Sequence, residues 1–528
     1  MKKLLTSFQK HHNKLKSNYL IRISILAIFI CAVDFVNGQP VKPVFKYVVS
    51  ILNPSSHIYH VDLYSSGWNK DTVEFKMPRW MPGYYQIMNY AESVENISAK
   101  DEKGNEIYIE KSSNNSWTIK EIKNRSIIIS YDIRTTRKFV ANSFVDEAHA
   151  YIVPENSFLY VDGYLKIPVS VKIEINNNWN DIATGLDTVN EKSREFAAPS
   201  FDILYDSPLL IGNLEKLPSF KIDGIEHRFI GYDIGNFDKV QFMNNLKKVV
   251  ESAIDIIGEI PYKQYTFIAI GPGRGGIEHL NNTVVSFNGD EIDNPEAMNS
   301  VMNFLAHEYF HHYNVKRIRP YELGPFNYDK ENRTNLLWVS EGLTVYYEYL
   351  IVKRAGLANT ETLFSNFEAN INTVENNQGR FYQSLAQASY NTWEDGPFGV
   401  QNKTISYYQK GPVIGLLLDF TIREYTQNKK SLDDVMRSLY WEYYKNNNRG
   451  FTDAEFQQAC EKITGKSLTS FFEYIYTTRE IDYNAYLNFA GLKLDLNSSQ
   501  QQEKKYTISQ INEPNSLQTE ILRSWLKE

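Results

Sequence analysis

The chain has 528 residues, which is more than one ordinary hydrophobic core holds and predicts two or three domains. A hydrophobic fraction of 42% and a charged fraction of 23% exclude a disordered chain. The net charge of −7 excludes nucleic acid as a general partner, because binding to phosphates needs a basic surface.

Residues 1–38 are predicted to be an export signal. A basic stretch precedes an apolar run at residues 23–33, and the small residues near Gly38 are typical of a cleavage site. The apolar run is shorter than the roughly 20 residues that span a bilayer. We therefore expect a periplasmic or secreted protein without stable membrane insertion after cleavage, with a retained N-terminal anchor as the alternative. Loss of the signal leaves Cys460 alone, so no intramolecular disulfide is expected.

Residues 39–215 are predicted to form an all-β domain. Alternating runs at residues 44–51, 72–77 and 126–133 are rich in Val, Ile, Tyr and Phe, and turn residues separate them. Short strands punctuated in this way are typical of a sandwich-like domain.

The pattern changes after residue 216 and predicts an α/β domain over residues 216–356. An apolar strand at residues 265–270 runs into a glycine-rich turn at residues 271–276. Asn294 followed by proline is typical of a helix start, and a second helix is predicted over residues 335–354.

The remaining chain is predicted to be a helical subdomain over residues 357–486, followed by a polar tail over residues 487–528. Thr452 and Glu455 have the spacing of a capping box, which predicts a helix start inside this subdomain.

His307, Glu308 and His311 form an H-E-x-x-H motif in the helix predicted to begin near Asn294. Residues four apart share one helix face, so both imidazoles can bind one Zn²⁺ while Glu308 faces the same cleft. Catalytic zinc keeps three protein ligands and a water, which the metal acidifies and a carboxylate deprotonates. A random chain of this length contains the motif about once in a hundred cases, so the spacing alone does not decide the function.

Glu341 is the predicted third zinc ligand, on the next helix. It lies among apolar residues, where an unpaired carboxylate would be costly and metal binding would remove that cost. Glu348 follows on the same helix and is predicted to orient one ligand histidine through its free ring N–H. A solvated helix carboxylate is the alternative for Glu348.

Two motifs around these residues carry a family resemblance. The runs HEYFHHYNVKRIRP at residues 307–320 and LWVSEGLTVYY at residues 337–347 resemble the glycyl aminopeptidase family of zinc metallopeptidases, which are gluzincins. MPRWMPGYYQIMNY at residues 77–90 is similar to a signature in the N-terminal β-domain of that family, and DSPL at residues 206–209 is similar to its interdomain hinge. The PDZ domain that many members carry near the C-terminus is expected to be absent or eroded here.

The resemblance implies roles for further residues. Gly275, Gly276 and Glu278 match the family segment in which the glutamate binds the α-amine of the substrate. Such a contact would fix the first peptide bond over the metal. Tyr408 matches the tyrosine that donates a hydrogen bond to the oxyanion, and its neighbour Tyr407 is the alternative.

We therefore expect a multidomain α+β protein with a sandwich-like N-terminal β-domain, a thermolysin-like catalytic domain and a helical C-terminal subdomain. One zinc ion per chain and peptide substrates are implied, with cleavage of small N-terminal residues such as Gly or Ala. Two alternatives stay open: an endopeptidase of the same clan, and a non-catalytic protein that binds peptides or surfaces.

Overall fold

The computed structural model describes residues 42–498 and 504–528. The export signal predicted for residues 1–38 lies outside the described residues. Among the helices that are described, none combines the length and the apolar character needed to cross a membrane.

An eight-stranded sheet is the largest element of the N-terminal region. The strand Val44–Ile51 lies in its middle, antiparallel to Ile58–Ser66 and parallel to Val169–Ile175. Its residues alternate between exposed and buried, because successive side chains of a strand point to opposite faces. The sheet is completed by the strands Val94–Asp101, Glu106–Ile107, Ile127–Arg134, Asp187–Asn190 and Glu195–Ala198.

Two smaller sheets pack with the eight-stranded sheet around one hydrophobic core. One contains the strands Val73–Lys76, Ile109–Lys111 and Ser116–Ile119, and the other contains Phe144–Val145, His149–Ile152, Asp181–Thr184 and Leu209–Gly212. Phe45, Trp117 and Ile211 show that all three sheets contribute buried side chains to this core. The all-β N-terminal region predicted from the sequence is therefore confirmed.

A six-stranded sheet opens the second region. Its strands are Glu215–Lys216, Phe220–Ile222, Ile225–Gly231, Gln264–Ala269, Gly276–Glu278 and Asn282–Val285. The short strand Gly276–Glu278 lies at one edge of the sheet and pairs antiparallel with Asn282–Val285. The helices Lys239–Ile257 and Pro295–Phe310 pack in the hydrophobic core of this region.

Helices dominate the chain after residue 335. They comprise the π-helices Trp338–Gly342 and Tyr440–Asn446 and the α-helices Leu343–Arg354, Thr360–Asn376, Leu385–Tyr390, Thr392–Asp395, Tyr407–Tyr425, Leu432–Leu439, Asp453–Thr464, Thr469–Tyr476 and Tyr483–Leu487. Two predicted helix starts are confirmed. Asn294 caps the helix Pro295–Phe310 by accepting from the Ala297 N–H at 2.8 Å, and Thr452 forms a capping box with Glu455.

The C-terminal segment, which the sequence presents as a polar tail, is folded over the residues that the structure describes. Leu492–Ser498 and Lys504–Gln510 form a hairpin, and Ser516–Leu526 is a helix. Trp525 of this helix is fully buried, and its indole N–H donates to the Tyr346 hydroxyl at 3.0 Å. Apolar residues recur on one face of this helix, and that spacing buries them against the helical region.

Candidate metal centre and active site

Three buried side chains converge where the helix Pro295–Phe310 meets the π-helix Trp338–Gly342. The Nε2 atoms of His307 and His311 are 2.9 Å apart. The Oε2 atom of Glu341 lies 3.6 Å from His307 Nε2 and 3.2 Å from His311 Nε2. The structure thus brings together the three residues that the sequence singles out as metal ligands, and their ligand atoms all lie within 4.8 Å of one another.

The spacing of these atoms fits a zinc ion. A tetrahedral zinc with bonds of about 2.0–2.1 Å holds two of its ligand atoms about 3.3 Å apart. The three observed separations lie on both sides of that value. Two imidazole nitrogens and one carboxylate oxygen are also the donor set of a catalytic zinc site, which leaves one position open.

The second nitrogen of each ligand histidine has a hydrogen-bond partner. Glu348 Oε2 lies 2.7 Å from His307 Nδ1, and the Asn314 carbonyl oxygen lies 2.7 Å from His311 Nδ1. These contacts favour protonation at Nδ1, so that both Nε2 atoms are free to bind a metal. The sequence suggested Glu348 for this position but gave no sign of Asn314.

Asn314 also joins the two helices that carry the ligands. Its side-chain amide donates to the Val339 carbonyl at 2.8 Å and to Thr344 Oγ1 at 3.0 Å. This side chain therefore fixes Glu341 relative to the two histidines. Nothing in the sequence pattern distinguishes Asn314, because its partners are mostly backbone atoms that only tertiary packing brings near.

Tyr408 reaches the metal centre because two helices cross closely. A Cβ atom on Gly342 would lie 2.7 Å from the Gly411 Cα, so the glycines let the helix Tyr407–Tyr425 approach Glu341. The Tyr408 hydroxyl donates to Glu341 Oε2 at 2.8 Å. The hydroxyl of Tyr407 instead lies 2.9 Å from Thr392 Oγ1, inside the core.

Glu308 is buried against the glycine-rich segment. A Cβ atom on Gly276 would lie 2.3 Å from Glu308 Oε1, so this position accepts no side chain while Glu308 keeps its place. Thr283 Oγ1 lies 3.4 Å from Glu308 Oε2. Burial raises the pKa of Glu308 to about 7, and the nearby carboxylates of Glu278 and Glu341 act in the same direction. A pKa near neutral suits a proton acceptor at physiological pH.

Glu278 ends the edge strand Gly276–Glu278 and is 4% exposed. Its Oε1 atom is buried and has no hydrogen-bond partner among the residues that the structure describes. A buried carboxylate oxygen without a hydrogen-bond partner is uncommon in folded proteins. Gly275 precedes the strand with a φ of +92°, a backbone conformation that glycine adopts without strain.

A loop of the β-domain covers Glu278. A Cβ atom on Gly83 would lie 2.7 Å from Glu278 Oε2 and 3.0 Å from Oε1, and Gly83 has a φ of +93°. Trp80 of the same loop is fully buried, and its indole N–H donates to the Asn327 carbonyl at 2.8 Å. The MPRWMPGYYQIMNY segment therefore joins the two domains and places Gly83 against the Glu278 carboxylate. The sequence marked this segment only through its family resemblance.

One exposed aromatic residue, Phe398, lies beside the site and could not be identified from the sequence. Phe398 is 71% exposed, and the centre of its ring lies 5.6 Å from that of Tyr408. It belongs to the irregular segment that precedes the helix Tyr407–Tyr425, where a phenylalanine has no periodic pattern to distinguish it.

Two family models match the chain. The Peptidase M61 N-terminal domain matches residues 46–213, and the M61 glycyl aminopeptidase domain matches residues 300–414. No curated protein matches the chain.

Solved structures share the fold. An aminopeptidase N family protein from Idiomarina loihiensis has 24% identity and a TM-score of 0.80, over 86% of this chain and 79% of that chain. An M1 zinc metallopeptidase from Deinococcus radiodurans has 11% identity and a TM-score of 0.52, over 83% and 94% of the two chains. Aminopeptidase A from Legionella pneumophila has 14% identity and a TM-score of 0.51, over 91% and 54%. These similarities confirm a multidomain α+β fold.

The two matched domains together span more than half of the sequence, and a site with the donor atoms of a catalytic zinc lies within the second. The chain is a metallopeptidase and belongs to the M61 glycyl aminopeptidase family.

Proposed function

We propose that this enzyme is an exported aminopeptidase that removes small N-terminal residues from peptides, with one zinc ion held by His307, His311 and Glu341. The donor atoms, their spacing and the hydrogen bonds to both ligand histidines support zinc at this site. The preference for Gly or Ala rests on the description of the family as glycyl aminopeptidases.

Glu308 is the general base and Tyr408 the oxyanion donor in this proposal. Bound zinc supplies Lewis acidity, which acidifies a water and polarises the carbonyl of the scissile bond. Glu308 accepts the proton of the attacking water and passes it to the leaving amine. The Tyr408 hydroxyl, which points to Glu341 Oε2, turns to the carbonyl oxygen as negative charge develops there.

The contact between the loop residue Gly83 and the Glu278 carboxylate is the observation that favours an aminopeptidase over an endopeptidase. An extended peptide can pair with the edge strand Gly276–Glu278, as peptides pair with exposed sheet edges elsewhere. With its scissile bond beside Glu308 and Gly276, its N-terminus reaches Glu278. The loop residue Gly83 lies against that carboxylate, and in this proposal it blocks further residues on the amino side of the substrate. The α-amine then supplies the partner that Glu278 Oε1 lacks.

The proposal is tested with Gly-Ala-Ala and its N-acetyl derivative. We expect cleavage of the free peptide after the first residue and a loss of at least a hundredfold in kcat/KM on acetylation, because the acetyl group removes the charge that Glu278 binds. A chelator should abolish both activities and added zinc should restore them. Equal rates on the two peptides would favour the endopeptidase.

Residue preference is measured separately with aminoacyl amides of Gly, Ala, Leu and Phe. The proposal expects the highest kcat/KM for Gly and Ala. A higher value for Leu or Phe would contradict the proposed preference and leave the aminopeptidase assignment intact.

A further inference from the structure

A cavity of about 200 Å³ lies between the glycine-rich turn and the β-domain, outside the metal centre. Its walls include three basic side chains, Arg137, Lys138 and Arg274, together with the Ser286 hydroxyl. The cavity therefore combines positive charge from both domains in a chain whose net charge is −7.

Two of these cations have no acidic partner among the described residues. Lys138 Nζ forms an ion pair with Asp146 Oδ2 at 3.2 Å. Arg137 lies over the ring of Phe139 at 4.3 Å, and within residues 42–498 and 504–528 neither Arg137 nor Arg274 forms an ion pair. His149 also lines the cavity, and burial lowers its pKa. The unpaired positive charge thus comes from the two arginines.

In the proposed binding mode, a peptide bound along the edge strand runs from the scissile bond toward this cavity. Gly276 abuts Glu308, and Arg274 is two residues away on the side opposite to Glu278. A Cβ atom on the intervening Gly275 would lie 3.5 Å from Val140 Cγ2, so the segment that carries Arg137 borders this stretch. Two residues of an extended bound peptide span about 7 Å. The side chain of an arginine extends several ångströms further toward that peptide.

We propose that Arg274 and Arg137 bind a carboxylate of the substrate, two or three residues after the scissile bond. The inference rests on the proposed function, since Glu278 must hold the amine for the peptide to run in this direction. The carboxylate is supplied by the C-terminus of a tri- or tetrapeptide or by an acidic side chain at the same position. Arginine suits this role because its planar donors match a carboxylate.

The test compares kcat/KM for Gly-Ala-Ala with that for Gly-Ala-Ala-amide at low ionic strength, in the wild type and in an R137A/R274A double variant. We expect the wild type to favour the acid about tenfold, mainly through KM, since a hydrogen bond to a charged group contributes at least that factor. The double variant should cleave the two peptides alike, at the wild-type rate for the amide. Arg523→Ala, which changes an exposed arginine of the C-terminal helix, should retain the tenfold preference.

Gly-Ala-Asp-amide separates the two sources of the carboxylate. Cleavage at the rate of the tripeptide acid would show that the site accepts an acidic side chain as well as a chain terminus, and cleavage at the rate of Gly-Ala-Ala-amide would assign it to a chain terminus alone. Either result supports the site if the double variant abolishes the difference between acid and amide. Equal kcat/KM for Gly-Ala-Ala and its amide in the wild type, or an equal loss on both in the double variant, would overturn the inference. Failure to cleave any of the free-amine peptides would instead refute the proposed function.

Discussion

The metal triad and the Glu278 site share one cleft, but different kinds of structure build them. His307, His311 and Glu341 lie on two helical segments that are close in sequence. Glu278 ends an edge strand, and the residue that covers it, Gly83, comes from a loop of the other domain. Helical spacing fixes most of the triad, whereas the Glu278 site exists only when the two domains pack together.

This difference separates the bond-breaking chemistry from the choice of substrate. Changes at the metal triad and its neighbours should lower turnover on every peptide. Changes at the domain contact should affect mainly the recognition of a free amine. Variants in the two regions can therefore be distinguished by zinc content, turnover and the response to N-acetylation.

Glu308→Gln should have the largest effect. Loss of the base should lower kcat on Gly-Ala-Ala roughly 10³- to 10⁴-fold, because the attacking water then has no proton acceptor. The zinc content, measured by atomic absorption, should stay near one ion per chain, since Glu308 is not one of the three clustered donors. Glu296→Gln, at an exposed acid on the same helix, is the control and should keep full activity. Retained hydrolysis by the Glu308 variant would refute its role.

Tyr408→Phe should have the second largest effect. We expect a loss of roughly 10²- to 10³-fold in kcat and little change in KM, because the lost hydrogen bond forms in the transition state. Tyr407→Phe is a matched control on the adjacent residue. Its hydroxyl contacts Thr392 inside the core, so its removal should cost some stability but leave kcat within about threefold. The reverse pattern would assign the oxyanion to Tyr407.

Glu348→Ala should weaken zinc binding by roughly 10- to 100-fold, as measured by competition with a chelator. The change leaves the Nδ1 atom of His307 without its carboxylate partner, which holds the ring for metal binding. Glu361→Ala, at an exposed helix acid, should leave zinc affinity unchanged. If both variants bind zinc as the wild type does, then Glu348 is a structural carboxylate without influence on the metal.

The same contrast decides what could be predicted from the sequence. The H-E-x-x-H spacing and the apolar surroundings of Glu341 are enough to predict the triad, because one helix period places both imidazoles together. Glu278 and Tyr408 could be suggested only through the family resemblance. Their surroundings depend on close backbone approaches at Gly83, Gly276 and Gly342, and a glycine in a sequence does not reveal what lies against it.

Secondary structure could be predicted where apolar residues recur with a clear period. The prediction was wrong where it relied on the polar composition of a segment. The alternating run at residues 44–51 and the cap at Asn294 have the expected structures. The polar residues near position 500 suggested a tail, yet the helix Ser516–Leu526 buries Trp525 in the core. Its apolar positions recur at helical spacing, and this signal is stronger than the local polarity that precedes it.

Gly83→Ala tests the domain contact and should have the smallest effect, a fall of about tenfold in kcat/KM on free-amine peptides with unchanged zinc content. A Cβ atom there would meet both carboxylate oxygens of Glu278, at 2.7 Å and 3.0 Å, so the carboxylate must move from the amine. Gly104→Ala is the matched control, since its φ of +83° carries the same backbone strain and nothing lies within 4 Å. Equal effects of the two variants would show that strain alone is responsible, and the loop would then have no part in recognising the amine. A loss confined to Gly83→Ala, on free but not on N-acetylated peptides, would show that the β-domain selects the substrate while the helices cleave it.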